Sequence, residues 1–121
     1  MNAAYTGNVL LCVQKRVGIA RAVAPDPKII FLDEPFSEVD SFTAKELRKD
    51  LLAIWERRKM TIVMVTHLIE EAIELADRIA ILTPRPGKIE RVIANTLPRP
   101  RNTRSPESYK LEDEIYALVK P

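Results

Sequence analysis

Two carboxylates, Asp33 and Glu34, directly follow the apolar run Ile29-Ile30-Phe31-Leu32 and precede Pro35. Consecutive apolar residues between a proline turn and an acidic pair predict a strand buried on both faces. Both acids then emerge at the carboxyl end of that strand. Carboxylates placed so can hold Mg²⁺ and set an acceptor beside an attacking water. An acidic turn ahead of Pro35 is the plainer reading of the same residues. The single histidine, His67, ends a second apolar run, Thr61-Ile62-Val63-Met64-Val65-Thr66. A lone histidine is more often structural or superficial than reactive, so its meaning depends on what precedes it.

Periodicity supplies the elements that must position these groups. Val13, Val17, Ala20 and Ala24 recur at helical spacing and predict a helix from Val13 to about Ala24, stopped by Pro25-Asp26-Pro27. Ser41–Arg58 reads as an amphipathic helix with Leu47, Leu51, Ile54 and Trp55 on one face. Thr61–Val65 is a second buried strand. Ile69, Ala72, Ile73 and Ala76 mark a short helix, and Arg78–Leu82 a third strand. Strands alternating with helices imply an α/β fold with a parallel sheet and right-handed crossovers. Ligands bind at the carboxyl ends of such strands.

Beyond Leu82 the pattern changes. Pro84–Lys88 is a turn, and Ile89–Thr96 reads as a strand of a small hairpin. Proline and arginine alternate after Leu97, which predicts an extended linker over 97–105. A helix over Pro106–Val119 presents Leu111, Ile115, Leu118 and Val119 on one face. The chain therefore divides into a poorly ordered start at 1–12, a main body at 13–96, the linker, and a C-terminal helix at 106–121.

With 121 residues, 46% of them hydrophobic and 30% charged, the chain is globular and forms one domain or less. Its 19 basic and 17 acidic residues are too balanced for a general nucleic-acid binder. Cys12 is the sole cysteine, which excludes an internal disulfide and a cysteine-rich metal site. Neither Val9–Val13 nor Ile29–Leu32 approaches the roughly 20 apolar residues that cross a bilayer. The expectation is a cytoplasmic protein that meets a membrane only through a partner.

In order along the chain, these motifs resemble those of ATP-binding-cassette (ABC) transporter ATPases. Ile29-Ile30-Phe31-Leu32-Asp33-Glu34-Pro35 is similar to the family's Walker B strand, and Ser37-Glu38-Val39-Asp40 to its D-loop. Thr61–His67 resembles the switch-histidine strand, and Gln14–Ala22 the helix after the signature motif. The resemblance implies a partial P-loop NTPase core with parallel strands and crossover helices, plus a C-terminal hairpin and helix. It implies ATP and Mg²⁺ as cofactors, a second ATPase subunit and a membrane permease as partners. By the same resemblance Asp33 binds Mg²⁺, Glu34 polarises the hydrolytic water, His67 contacts the γ-phosphate or that water, and Asp40 bridges the dimer. Pro84-Arg85-Pro86-Gly87-Lys88-Ile89 and Leu97-Pro98-Arg99-Pro100-Arg101 resemble the ATPases of nitrate, sulfonate and taurine importers.

The sequence also departs from the family. A P-loop needs two glycines five positions apart followed by Lys and Ser or Thr, and Gly7, Gly18 and Gly87 offer no such pair. Where the signature carries Ser-Gly-Gly, Leu10, Leu11 and Cys12 stand. The family's P-loop strand lies between the strand leading to His67 and Arg78–Leu82. Without it, those two strands must pair directly or leave open edges that invite association. The expectation is a truncated, inactive C-terminal portion of a transporter ATPase. The alternative is a non-catalytic module that binds and modulates a full-length ABC subunit. A receiver-like domain built around Asp33 leaves the histidine strand and the Gln14–Ala22 helix unexplained.

Overall fold

A computed structural model of the chain describes residues 3–119, with side chains from Cys12 onward. Its elements run α1 (Ala3–Val23), β1 (Ile29–Asp33), α2 (Ser41–Arg58), β2 (Thr61–Val65), α3 (Ile69–Leu75), β3 (Arg78–Leu82), β4 (Ile89–Ala94) and α4 (Pro106–Leu118). They form two compact units, Met1–Thr66 and His67–Pro121. Among the described residues the fold is α/β with a parallel strand pair and four helices.

In the first unit, β1 and β2 pair in parallel, with Ile29 opposite Thr61 and Asp33 opposite Val65. The crossover between them is α2. Asp40 caps its first turn, and Lys59 ends it in a left-handed conformation with its N–H on the Trp55 carbonyl, 2.7 Å away. Ala44, Leu47 and Leu51 are buried along one stripe, Leu47 completely. Truncating a fully buried leucine to alanine costs about 2–5 kcal/mol. Ile54 and Trp55, expected on the same face, are half-buried.

Two expectations for this unit need correction. The helix α1 starts at Ala3, well ahead of Val13, because no proline interrupts the chain before Pro25. Its buried side is formed by Ile19 and Val23, with Cys12, Lys15 and Ala22 half-buried, while Val13, Val17, Ala20 and Ala24 face solvent. Burial gains scale with apolar area, so a stripe ending in Ile19 and Val23 outweighs one ending in two alanines. The strand β1 is covered on one face only. Ile30 and Leu32 are buried, whereas Ile29 and Phe31 are exposed in one row with Val63 and Val65 of β2.

The second unit departs from the expected parallel sheet. Here β3 pairs antiparallel with β4, from Arg78 opposite Ala94 to Leu82 opposite Ile89, so each sheet has two strands. The intervening loop is stapled by Thr83, whose Oγ1 donates to the Pro86 carbonyl (2.7 Å) and accepts from the Lys88 amide (3.0 Å). A short hairpin closes at little entropic cost, which favours the neighbour in sequence over a distant parallel partner. The core is a cluster of isoleucines: Ile73 from α3, Ile79 and Ile81 from β3, Ile93 from β4 and Ile115 from α4.

Segment 97–105, expected as an extended linker, has no helix or strand and packs on the second unit. Leu97 packs on that cluster, and Arg101 is buried with its guanidinium on backbone carbonyls. Ser105 then caps α4 by accepting from the Ser108 amide (3.2 Å), and the Ser108 hydroxyl donates to the Asn102 carbonyl (2.7 Å). Pro106 occupies the first turn of α4, where its missing N–H costs nothing.

Candidate functional site

The sheet ladder carries one residue past the end of β1, because the Glu34 amide donates to the Val65 carbonyl at 2.8 Å. At Glu34 the chain turns sharply through a left-handed conformation, φ 48°. That conformation is costly for any residue with a Cβ. It is held by two bonds within the turn and one from α1. The Ser37 amide and hydroxyl both donate to the Glu34 carbonyl, at 3.2 and 3.0 Å, and Lys15 of α1 reaches the Ser37 hydroxyl at 3.4 Å. Pro35 and Phe36 are buried beneath it. The outcome is an exposed Asp33 and a half-buried Glu34, side by side at the carboxyl end of a parallel strand. Non-glycine residues in such backbone conformations concentrate at functional sites.

Asp40 lies at the end of the same turn, after Glu38, which is also left-handed at φ 68°. Its carboxylate accepts the Thr43 amide at 3.3 Å and so caps α2. Hydrogen bonding from the Thr43 side chain, and after it from backbone amides of the first turn, lowers its pKa below the ordinary aspartate value. This capping role was open to sequence reading, since aspartate ahead of a helical period is a standard start signal.

His67 follows β2 after Thr66 and leads into α3. Its side chain is exposed, and it belongs to the second unit. The structure thus gathers Asp33, Glu34 and Asp40 around one turn of the first unit and sets the histidine at the start of the second. Glu70 and Glu71 occupy the first turn of α3, where negative charge suits the helix dipole.

Among the described residues, no group of three or more His, Cys, Asp or Glu side chains is arranged to hold a metal ion. Magnesium is usually held by one or two carboxylates together with phosphates and water. The Asp33–Glu34 pair fits that kind of binding and does not fit an all-protein cage. At residues 10–12 the backbone is mid-helix. No helix N-terminus is presented there to an anion; the side chains of Leu10 and Leu11 lie outside the described residues.

No protein-family model matches the chain. Individual proteins do. The aliphatic sulfonates import ATP-binding protein SsuB of Bacillus cereus is 46% identical over 103 residues, 85% of this chain. The corresponding protein of Bacillus licheniformis is 50% identical over the same length. An uncharacterized ABC transporter ATP-binding protein of Methanocaldococcus jannaschii is 42% identical over 108 residues. The chain is homologous to ABC transporter ATP-binding subunits. The nitrate import ATP-binding protein NrtD of Synechocystis, 39% identical over 117 residues, is of the same type. The chain spans 40 to 44% of the length of these ABC relatives. Among the described residues no helix is long and apolar enough to cross a membrane.

Sequence reasoning missed Asn95, Arg99 and Arg101, which bond the end of α3. The signal was available in α3 itself, a short helix with no basic residue in its last turn.

Proposed function

We propose that the chain is the C-terminal portion of the ATP-binding, ATP-hydrolysing subunit of an ABC importer for sulfonate, nitrate or similar anions. The observation that carries this reading is the turn at Glu34. It follows a parallel strand pair and presents adjacent carboxylates where an α/β sheet binds its ligand. The names of the relatives support the anion class. In the assembled P-loop domain, Asp33 would hold Mg²⁺ and Glu34 would polarise the hydrolytic water. His67 meets the γ-phosphate, and Asp40 both caps α2 and bridges to a second subunit. The metal, when bound, neutralises charge developing on the transferred phosphoryl group. A membrane permease is the docking partner, at the cytoplasmic face.

These 121 residues contain neither a P-loop pattern nor a Ser-Gly-Gly signature, so the chain alone is inactive. Calorimetry with Mg-ATP should show no micromolar binding. Replacing the matching segment of the Bacillus cereus relative with residues 13–96 supplies the phosphate cradle and tests the residue roles. The chimera should hydrolyse ATP, and Glu34→Gln should slow hydrolysis by about 10²–10⁴-fold while ATP still binds. Equal hydrolysis by the Glu34→Gln chimera would refute the assignment.

A further inference from the structure

The motif Leu97-Pro98-Arg99-Pro100-Arg101 has no part in the turn that carries the acids, but it closes on the helix that His67 leads into. α3 has seven residues, no side-chain hydrogen bond at its N-cap and no basic residue in its last turn. So short a helix does not hold itself in water, and its last carbonyls need donors from elsewhere. Residues 95–101 supply them. The Asn95 side-chain amide donates to the carbonyls of Ile73 (2.8 Å) and Ala76 (3.0 Å). One arm of the Arg101 fork donates to the same two carbonyls, at 3.2 and 2.6 Å, and its Nε to the Leu97 carbonyl at 3.0 Å. Arg99 donates to the Leu75 carbonyl at 2.8 Å.

The two cations also replace the missing basic residue electrostatically, since positive charge belongs at a helix C-terminus. Asp77, just past that terminus, lies 2.8 Å from Arg99 and 3.8 Å from Arg101. The Arg101 side chain is only 3% exposed. Burial, and then the neighbouring Arg99, lower its pKa, while Asp77 opposes the shift. At the other end of α3, the Thr103 hydroxyl donates to a Glu70 carboxylate oxygen at 3.0 Å. One segment therefore grips α3 at both ends, and His67 lies three residues before Glu70, the residue held at the N-terminal end.

We propose that segment 95–103 is a clasp for the histidine helix, and that Arg101 and Thr103 are positioning residues that fix the backbone from which His67 projects. The proposal rests on the reading of His67 as the phosphate-facing group. It also gives the Leu97–Arg101 motif a task. The arginines act through α3 on the placement of the histidine, and through the Ser105 cap they tie that placement to α4.

The single histidine makes the test direct, because its imidazole gives one Cε1-bound proton signal in the full chain. The amides of Ala72 and Ala76, bonded to the carbonyls of Leu68 and Ala72, report on α3. Thr103→Val exchanges the hydroxyl for a methyl of similar size. It should move the His67 signal and speed exchange of the Ala72 amide several-fold, and Thr103→Ser should restore both. Arg101→Lys keeps the charge without the fork and should speed exchange at Ala76 at least tenfold. Amides of β1, in the other unit, should stay within twofold throughout. A Thr103→Val chain with wild-type His67 signal and Ala72 exchange overturns the clasp, even where Arg101→Lys does not fold. Mg-ATP added to the chimera separates the two readings. A His67 signal that ignores the nucleotide removes the phosphate-facing role and leaves the clasp standing.

Discussion

Glu34 adopts a left-handed conformation at φ 48°, and the cost of that choice can be measured. For a residue with a Cβ the conformation costs roughly 1–2 kcal/mol. Glycine escapes that cost but gives up roughly 0.5–1 kcal/mol of extra freedom in the unfolded chain. The balance predicts that Glu34→Gly is more stable than Glu34→Ala by about 0.5–1 kcal/mol, a rise in Tm of about 2–8 °C for a unit of this size. The comparison with alanine matters, because both variants lose every contact of the carboxylate and differ only at the backbone. Trp55 is the only tryptophan and lies in the same unit, so its fluorescence follows this unfolding transition. A glycine variant less stable than the alanine variant would show that the turn is relaxed and that no strain is stored beside the acids. The expected order places the carboxylate at a position where the fold alone would prefer glycine, as a residue kept for chemistry requires.

Two further outcomes follow from local geometry. The pKa of Asp40 is lowered by hydrogen bonding first from the Thr43 side chain and then from backbone amides, the Thr43 amide among them. Its capping contribution is therefore present above the unfolded aspartate value and is lost as pH falls through the lower folded value. The Thr43 amide shift should titrate in that acidic range, and Asp40→Asn, which caps without titrating, should abolish the step; an unchanged profile would contradict the cap. Phe31 is 71% exposed in a row with Ile29, Val63 and Val65. The isolated chain should self-associate in light scattering, and Phe31→Ser should raise the monomer fraction while altering stability by less than about 0.5 kcal/mol. A wild-type chain that stays monomeric at high concentration would refute this.

The parts of the fold legible in the sequence are those where one pattern has one solution. α2 presents a single apolar face and occupies Ser41–Arg58 as expected, and β2 and β3 lie between clear breakers at Thr61–Val65 and Arg78–Leu82. α1 carries two apolar stripes, Val13 with Val17 and Ile19 with Val23, both spaced for a helix. Periodicity cannot choose between them; only the packing partner does. The same limit explains β1. An apolar run is compatible with cover on either face, and the sequence of a strand does not state which faces are covered.

At the candidate site, the position of Asp33 and Glu34 at the end of an apolar strand was readable in the sequence, whereas Asp40 entered only through the resemblance of Ser37–Asp40 to a D-loop. The left-handed turn at Glu34 was not readable, since glutamate carries no bias toward it. The clasp was hidden for a different reason. Arginines between prolines read as solvated charges until one knows that the carbonyls of Ile73, Leu75 and Ala76 lack donors from their own helix.

The clasp also sets an order of events during synthesis. The donors that complete α3 lie 19 to 28 residues downstream of the carbonyls they meet, and Thr103 lies 33 residues beyond Glu70. A ribosome adding about 5–20 residues per second makes α3 about 1–7 seconds before its fastenings. β1 also waits for a distant partner, since the Glu34 amide meets the Val65 carbonyl, but that partner is made before residues 95–103. The acids are therefore set in their turn while the histidine segment still waits, and the nascent chain completes the two halves of its chemistry at different times.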